Sequence, residues 1–298
     1  MSEASGFGRA EQLSVVAIVV AAAVGLALAV AGSQGGQLAA GVPVFAVCVA
    51  LAFVIQWVAF VPAYVRQSER YFDLTGSLTF IAVAIVAILL SPVRDARSLL
   101  LVLLIGVWAA RLGVFLFRRM LWAGKDDRFD ALKPSFLRFL AVWTVQALWV
   151  SLASAAALAA ITATAREPLG AFAVVGAVIW LTGFSIEVLA DRQKRRFRAD
   201  PANRERYIDS GLWAWSRHPN YFGEIVLWAG VALIAVPVLS GLQWVTLVSP
   251  LFVALLLTRI SGAPMLERKA DQRWGGQPHY EAYKTRTPLL VPRPPRRG

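Results

Sequence analysis

Long apolar runs alternate with short polar segments along almost the whole chain. Each run approaches the roughly 20 residues that an α-helix needs to cross the hydrocarbon core of a bilayer. The runs predict eight spans, at about 13–31, 43–65, 77–92, 98–117, 137–161, 169–190, 222–240 and 243–258. The third run is short and Pro250 interrupts the last, so seven spans are the alternative. The first run is too long for a cleaved signal peptide and is expected to stay as a helix.

Composition agrees with an integral membrane protein. Of the 298 residues, 58% are hydrophobic, and the mean hydropathy is +0.60. The only cysteine, Cys48, lies in an apolar run, and the chain has two histidines, too few for a histidine-rich di-iron site. We therefore predict an all-α membrane protein of seven or eight spans, with neither a disulfide framework nor a metal centre.

The basic residues segregate to one side of the predicted membrane. The formal net charge of +12 taken alone would also suit a nucleic-acid-binding protein. With eight spans, however, the loops opposite the N-terminus hold only Arg94, Arg97 and Arg166. The positive-inside rule then predicts that both termini are cytoplasmic, with the long polar segments forming one cytoplasmic cap. We expect this basic face to meet membrane lipid or a phosphorylated cofactor, and no nucleic acid.

The segment 211–224 holds the densest group of polar and aromatic residues. Pro219 suits the first turn of the helix that follows, so the free backbone N–H groups of that turn are expected to face water. Arg217 and His218 precede this helix N-terminus, where unpaired N–H groups and a partial positive charge favour a phosphate. Glu224 lies about one turn inside the same helix, where a carboxylate without a partner is costly.

Three further polar clusters lie at the same ends of the spans. Asp73 precedes an apolar run, either as part of a helix cap or as an acid or substrate anchor in a pocket. Arg111 lies inside a span, where a guanidinium costs roughly 2.5–3.5 kcal/mol unless an ion pair or a phosphate accompanies it. The spacing of Glu187, Asp191 and Arg195 places them on one helix stripe, which extends to Arg198 at the next turn. That stripe is either a salt-bridge ladder or a site whose carboxylates bind an amide or ribose hydroxyls and whose arginines bind phosphate.

These motifs resemble the steroid 5-alpha-reductase superfamily, which also includes sterol C14 reductases and isoprenylcysteine carboxyl methyltransferases. The chain looks closest to a bacterial branch described as a domain of unknown function. The resemblance implies a bacterial inner membrane protein with N-terminal helices in 1–66 and a catalytic transmembrane domain in 67–298. It is carried by Asp73-Leu-Thr-Gly-Ser77, Arg119-Met-Leu-Trp-Ala-Gly-Lys-Asp-Asp-Arg-Phe-Asp130, the segment from Gly211 to Glu224, and the segment from Leu266 to Pro288.

The resemblance also implies an NADPH site. Asp191 matches the cofactor-binding aspartate of the reductases, and Arg195 or Arg198 matches a basic residue that follows it. Glu224 matches a carboxylate at the steroid pocket, so it is expected to anchor the substrate, with Asp73 or Tyr221 as the acid. The remaining cofactor-binding positions implied in this way, or by the clusters above, are Arg111, Arg217, His218, Asn220 and Arg259.

The chain departs from the reductase pattern at several positions. Asp73 and Leu74 fall where a Gln-Glu pair would hold a ketone, and Trp108 falls where a tyrosine would help to protonate the enolate. An indole cannot donate that proton, which argues against reduction of a 3-oxo-Δ4-steroid. Glu187 replaces an asparagine near the nicotinamide, and Glu267 replaces a tyrosine of the tail region.

Three functions remain open at this point. The first is a membrane-embedded NADPH-dependent reductase that acts on an activated C=C bond of a hydrophobic, sterol-like or isoprenoid substrate. The second is an S-adenosylmethionine-dependent methyltransferase of the isoprenylcysteine type, whose signature also contains Arg-His-Pro. The third is a non-catalytic relative that binds lipid or a partner. The extra arginines favour the first, because S-adenosylmethionine carries no phosphate.

Overall fold

The computed structural model describes residues 8–295 and is built almost entirely of helices. Its α-helices are α1 Arg9–Ser33, α2 Val44–Val65, α3 Phe72–Leu90, α4 Ala96–Ala123, α5 Phe136–Thr162, α6 Ala171–Ala199, α7 Pro219–Ala235, α8 Val248–Leu255, α9 Ala263–Trp274 and α10 Pro278–Arg286. Two short strands, β1 Leu38–Ala39 and β2 Val42–Pro43, form an antiparallel hairpin between α1 and α2.

Eight helical stretches of the described residues are long and apolar enough to cross a membrane. This confirms the prediction of an all-α, multi-pass membrane protein and favours eight spans over seven. The third span begins at Phe72 and not at residue 77, so Asp73 lies in the first turn of α3. The interpretation of Asp73 as a cap is wrong, because the N-cap is Tyr71 and no side chain caps the helix.

The last span is irregular, as Pro250 suggested. A 3₁₀ helix, Gly241–Leu247, precedes α8, and a π-helical turn, Leu256–Ile260, follows it. Pro250 lies in the first turn of α8, which begins at Val248, and there its missing N–H would have no intrahelical partner anyway. The proline is therefore compatible with α8.

The chain divides into two compact units. The first comprises the described residues up to Gly170 together with Ala235–Val248, and the second comprises Ala171–Ile234 and the described residues from Ser249 onward. The boundaries of these units differ from the predicted boundary between 1–66 and 67–298. The predicted division, which concerns function, stays a prediction. Some predicted site residues belong to the first unit and the others to the second.

Helix α5 forms the centre of the first unit, where it contacts each of α1 to α4. In its most apolar window 83% of the residues are buried, against 22–44% for α1 to α4. The stretch Ser151–Ile161 is rich in alanine and serine, whose small side chains let neighbouring helices approach closely. The serines direct their hydroxyls to their own helix, as in the bond from Ser154 Oγ to the Val150 carbonyl (2.6 Å).

Helices α6 and α7 of the second unit pack closely through glycines. A Cβ added at Gly183 or at Gly223 would lie 2.5 Å from a backbone atom of the opposite helix. A Cβ added at Gly176 or at Gly230, one contact further along, would likewise lie 2.7 or 2.5 Å from a backbone atom of the opposite helix. Such small residues allow backbone-to-backbone contact between membrane helices, which is why α6 and α7 can pair without large interlocking side chains.

The tail of the chain is more ordered than the sequence suggested. The sequence Gly-Gly-Gln-Pro at 275–278 predicts a turn, which is present at Gly275 and Gly276, but Pro278 begins α10. The basic sequence from Pro292 onward predicts a mobile terminus; residues 292–295 have no regular structure, and residues 296–298 lie outside the described residues. Helices α9 and α10 meet Tyr207 in an aromatic cluster that includes Trp274, Tyr280 and Tyr283.

Candidate functional site

The glycine packing of α6 against α7 determines which site residues meet. Gly223 faces Gly183 and Glu187, and Gly230 faces Gly176, so the two helices run antiparallel. Because each residue advances a helix by about 1.5 Å, Asp191, one turn beyond Glu187, lies level with the residues at the start of α7. Asp191 and Glu187 are both buried, at 7% and 2% exposure. The two carboxylates therefore lie on the α6 face that meets the first turns of α7.

The four residues Glu187, Asp191, Arg195 and Arg198, called the α6 stripe below, run from this buried contact to the exposed end of α6. Arg195 and Arg198 are exposed. Within residues 8–295, no ion pair joins Arg195 to a carboxylate, so the structure does not support a ladder between Asp191 and Arg195. The stripe thus changes from buried carboxylates to exposed guanidinium groups over about three turns.

The segment before α7 is held against α6. Trp213 is buried and donates from Nε1 to the carbonyl of Ala190 (3.0 Å). The backbone N–H of Leu212 donates to Gln193 Oε1 (2.9 Å), and Lys194 lies over the Trp213 ring at 4.3 Å. Gly211 allows this approach with a φ of +60°, a conformation that L side chains rarely adopt.

The tail holds the same segment from another direction. The N–H of Arg217 donates to the Pro288 carbonyl (2.9 Å), and Ser216 Oγ donates to the Leu290 carbonyl (2.8 Å). The N–H of Arg293 donates to the Trp215 carbonyl (2.9 Å). Residues 288–293 therefore fix the backbone that leads into α7. Pro288, the last residue of the C-terminal motif, thus has a structural role.

Glu267, on α9, binds both residues that precede Pro219. One carboxylate oxygen pairs with Arg217 Nη1, and the other lies 2.8 Å from His218 Nε2. Burial lowers the pKa of His218 below its ordinary value, although Glu267 acts in the opposite direction. His218 stacks on Tyr221, with ring centroids 5.3 Å apart and planes 8° from parallel. Sequence reasoning placed Glu267 near this cluster but did not identify its two partners.

Arg259 belongs to the π-helical turn that approaches α7. A Cβ at Gly262, directly after this turn, would lie 3.0 Å from Tyr221 Cε2. The turn therefore lies beside Tyr221, and Arg259 is exposed at its end. Glu224 is buried one turn further into α7. The second unit thus brings together the α6 stripe, the start of α7, the turn with Arg259, and Glu267.

A cavity of about 300 Å³ lies on another face of α6. Its lining includes Gln193, Arg196 and Phe197, together with Ile208, Ser210 and Gly211. At 100° per residue, Gln193, Arg196 and Phe197 point away from the α6 stripe. The predicted cofactor residues do not line this cavity, so it is a separate feature of the second unit.

The other two predicted site residues, Asp73 and Arg111, belong to the first unit. Asp73 lies 3.5 Å from Arg119 Nη2, so Arg119 pairs with it instead of only extending to the membrane surface. Arg111 lies over the ring of Phe115 at 5.3 Å. Trp108, which stands where the reductases have a tyrosine, is 1% exposed and packs edge-on against Phe80.

The charged loop between α4 and α5 forms a network around Glu69. Glu69 accepts from the N–H of Asp126 (2.8 Å) and from Lys133 Nζ (2.7 Å), and Lys133 also pairs with Asp130 (3.1 Å). Burial alone would raise the pKa of Glu69, but these hydrogen bonds outweigh it and hold the pKa below its ordinary value. The motif at 125–130 therefore orders a loop, which explains part of the sequence pattern without a ligand.

Comparison with known proteins gives one family match. A model of the family described as "Protein of unknown function (DUF1295)" matches residues 59–287. The match begins within α2 and ends directly after α10, so it includes every candidate site residue named above. No curated protein and no solved structure matches the chain. Among the described residues, no group of three or more His, Cys, Asp or Glu side chains could hold a metal ion.

Proposed function

Since the chain belongs to the DUF1295 family, whose description gives no function, we propose its activity from the site. It is a membrane-embedded reductase that uses NADPH to reduce an activated C=C bond of a hydrophobic, sterol-like or isoprenoid substrate. The observation that supports this most is the course of the α6 stripe, from the buried Asp191 beside the start of α7 to the exposed Arg195 and Arg198.

The charge of the ligand separates NADPH from its main rival. Arg195, Arg198 and Arg259 are exposed guanidinium groups on elements that meet the start of α7. Guanidinium groups bind phosphate oxygens in pairs of parallel hydrogen bonds, and the 2′-phosphate is what distinguishes NADPH from NADH. S-adenosylmethionine has no phosphate for these guanidinium groups to bind.

The reaction needs a hydride, which NADPH supplies when bound, and a proton on the other carbon. Tyr221 and Asp73 are the proposed acids, and Tyr221 is the better supported because it lies within the cluster of the second unit. Glu224, buried one turn into α7, is the proposed anchor for a polar group of the substrate. Trp108 cannot supply the proton, so the substrate need not be a 3-oxo-Δ4-steroid.

The proposed orientation follows from charge. The loops with few basic residues lie opposite the N-terminus, so we propose that both termini face the cytoplasm of a bacterial inner membrane. The α6 stripe and the tail then lie on the side where NADPH is available.

The proposal is tested by comparing ligand binding in the wild type and in two variants, each of which replaces one of two adjacent arginines on α6. Detergent-purified protein would be titrated with NADPH, NADH and S-adenosylmethionine, following thermal stability and energy transfer from tryptophan to nicotinamide. We expect NADPH to stabilise the protein selectively and Arg195→Ala to weaken its binding by about tenfold, the equivalent of one charge-assisted hydrogen bond. Arg196→Ala removes an equally exposed arginine from the cavity face of α6 and should bind as the wild type does.

The other outcomes assign the rival functions. Stabilisation by S-adenosylmethionine alone would move the chain to the methyltransferases. No response to any of the three ligands would contradict both enzymatic functions and favour a lipid-binding protein. Equal losses in Arg195→Ala and Arg196→Ala would show that binding follows general surface charge and not the α6 stripe.

A further inference from the structure

The basic residue that precedes α7 is already paired with a carboxylate, although the sequence predicted an anion site. Arg217 is paired with Glu267, and the same carboxylate receives a hydrogen bond from His218. One positive and one negative charge therefore cancel beside the helix N-terminus. A phosphate placed here would have to displace Glu267 or bear its repulsion.

The contact with Glu267 determines which nitrogen of His218 carries a proton. An ionised carboxylate only accepts hydrogen bonds, so Nε2, at 2.8 Å from Glu267, must be the donor. His218 is 3% exposed, and burial keeps its pKa below the ordinary value, which favours the neutral ring at pH 7. Nδ1 is then an acceptor, and it is buried without a hydrogen-bond partner among the described residues.

A second acceptor lies in the first turn of the same helix. Asn220 Oδ1 is also buried and has no hydrogen-bond partner in the described part of the chain. An unsatisfied buried acceptor destabilises the fold, so two of them two residues apart need an explanation. The stacked Tyr221 ring covers one face of His218, so a ligand cannot approach the imidazole from that face.

We propose that the start of α7 is a subsite for an uncharged group with N–H or O–H donors, which His218 Nδ1 and Asn220 Oδ1 receive. Glu267 is its positioning residue, because it fixes the ring nitrogen that accepts. The anionic part of the ligand then lies on the exposed arginines and not at this helix N-terminus. The identification of the donor group rests on the proposed function: with NADPH it is the carboxamide NH₂ of nicotinamide, and otherwise it is a hydroxyl of the lipid substrate.

Nitrogen NMR of the histidines tests the positioning role without a ligand. The chain has only two histidines, so protein labelled with ¹⁵N-histidine gives two imidazole systems, and His279→Gln identifies the signals of His218. We expect the wild type at pH 7 to show a protonated Nε2 and an unprotonated Nδ1. Glu267→Gln retains an accepting oxygen and should keep this tautomer, whereas Glu267→Leu should give a mixture. A doubly protonated ring, or a proton on Nδ1, in the wild type would overturn the proposal.

Added ligands then identify the donor. Binding of NADPH should shift the Nδ1 signal, and the reduced analogue with an acetyl group in place of the carboxamide should bind about tenfold more weakly, the worth of one hydrogen bond. In Glu267→Leu, where only part of the protein has an accepting Nδ1, the difference in affinity between the two dinucleotides should become smaller. A shift with a hydroxylated membrane lipid but not with bound NADPH would assign the donor to the substrate. A shift with inorganic phosphate alone, or with none of these probes, would overturn the subsite.

The two proposals fail separately. If NADPH does not bind, the proposed reductase fails, while the tautomer and its dependence on Glu267 still decide the positioning role. If NADPH binds but the ring is protonated or Nδ1 carries the proton, only the subsite fails.

Discussion

The substitution Gly223→Ala tests the contact that brings the α6 stripe to α7. A Cβ at this position would lie 2.5 Å from the Gly183 carbonyl oxygen and 2.7 Å from the Glu187 backbone nitrogen, whereas ordinary contact begins at 3.4 Å. Helices α6 and α7 would have to separate by about 1 Å, because neither backbone atom can rotate away.

The expected cost combines two opposing effects. Overpacking of this kind costs about 1–3 kcal/mol, while alanine improves helix propensity over glycine by up to about 1 kcal/mol. We therefore expect Gly223→Ala to lose about 1–2 kcal/mol and to weaken the proposed cofactor binding, since the α6 stripe moves relative to Asn220. Gly106→Ala is the matched control: it makes the same change within α4, where nothing lies within 4 Å of the added Cβ.

Thermal unfolding in detergent, followed by tryptophan fluorescence, measures the difference. For a protein of this size the Tm should fall by about 2–4 °C per kcal/mol in Gly223→Ala and stay level or rise in Gly106→Ala. If both variants unfold at the wild-type temperature, or both fall equally, the close crossing of α6 and α7 is refuted, together with the placement of Asp191 that depends on it.

Three further substitutions test buried polar groups of the first unit. Glu69→Gln should cost about 1–3 kcal/mol at pH 7, because Lys133 loses one of its two charged partners and keeps only Asp130. The folded-state pKa of Glu69 is lowered, so this stabilisation is present above the ordinary carboxyl pKa and disappears as the pH falls through the folded-state value. The free energies of unfolding of the wild type and Glu69→Gln, measured with urea from pH 7 to below about pH 4, should therefore converge. A difference that stays constant with pH would contradict this reasoning. Gln146→Met should leave the Tm level or raise it, because neither amide atom of this 3% exposed residue has a hydrogen-bond partner among the described residues. Gln56→Met should lower the Tm, since it removes the hydrogen bond to Thr79 Oγ1 (2.9 Å). If the Tm falls further in Gln146→Met than in Gln56→Met, the expectation for Gln146 is wrong and a polar partner binds its amide.

The spans could be predicted because their signal is local. The second and fifth predicted spans, 43–65 and 137–161, agree with Val44–Val65 and Phe136–Thr162 to within a residue at each end. The prediction was wrong at the start of α3, where Asp73 looked like a cap. A pairing with Arg119, 46 positions along the chain, lets this carboxylate enter the helix, and no local pattern shows such a pairing.

The candidate site residues could be chosen from the sequence, and they stay a prediction, but their contacts could not be predicted. Pro219 correctly indicated the start of α7, because its missing N–H fits only the first turn. Arg217 and His218 looked like an anion site because Glu267 lies about 50 residues away in sequence. The partners of Gly183 and Gly223 were equally hidden, since a glycine carries no side chain whose chemistry could indicate what packs against it.

Transfer of deuterium from NADPH to a lipid is the most direct test of the central claim. Purified protein would be incubated with NADPH deuterated at the transferable position and an extract of membrane lipids, and the products would be analysed by mass spectrometry. The account predicts a product in which one C=C bond has gained one deuterium from the cofactor and one proton from water, and whose yield at sub-saturating NADPH falls by about tenfold in Arg195→Ala. NADPH that binds selectively but leaves every lipid undeuterated, across extracts that contain sterol-like and isoprenoid compounds, would contradict it.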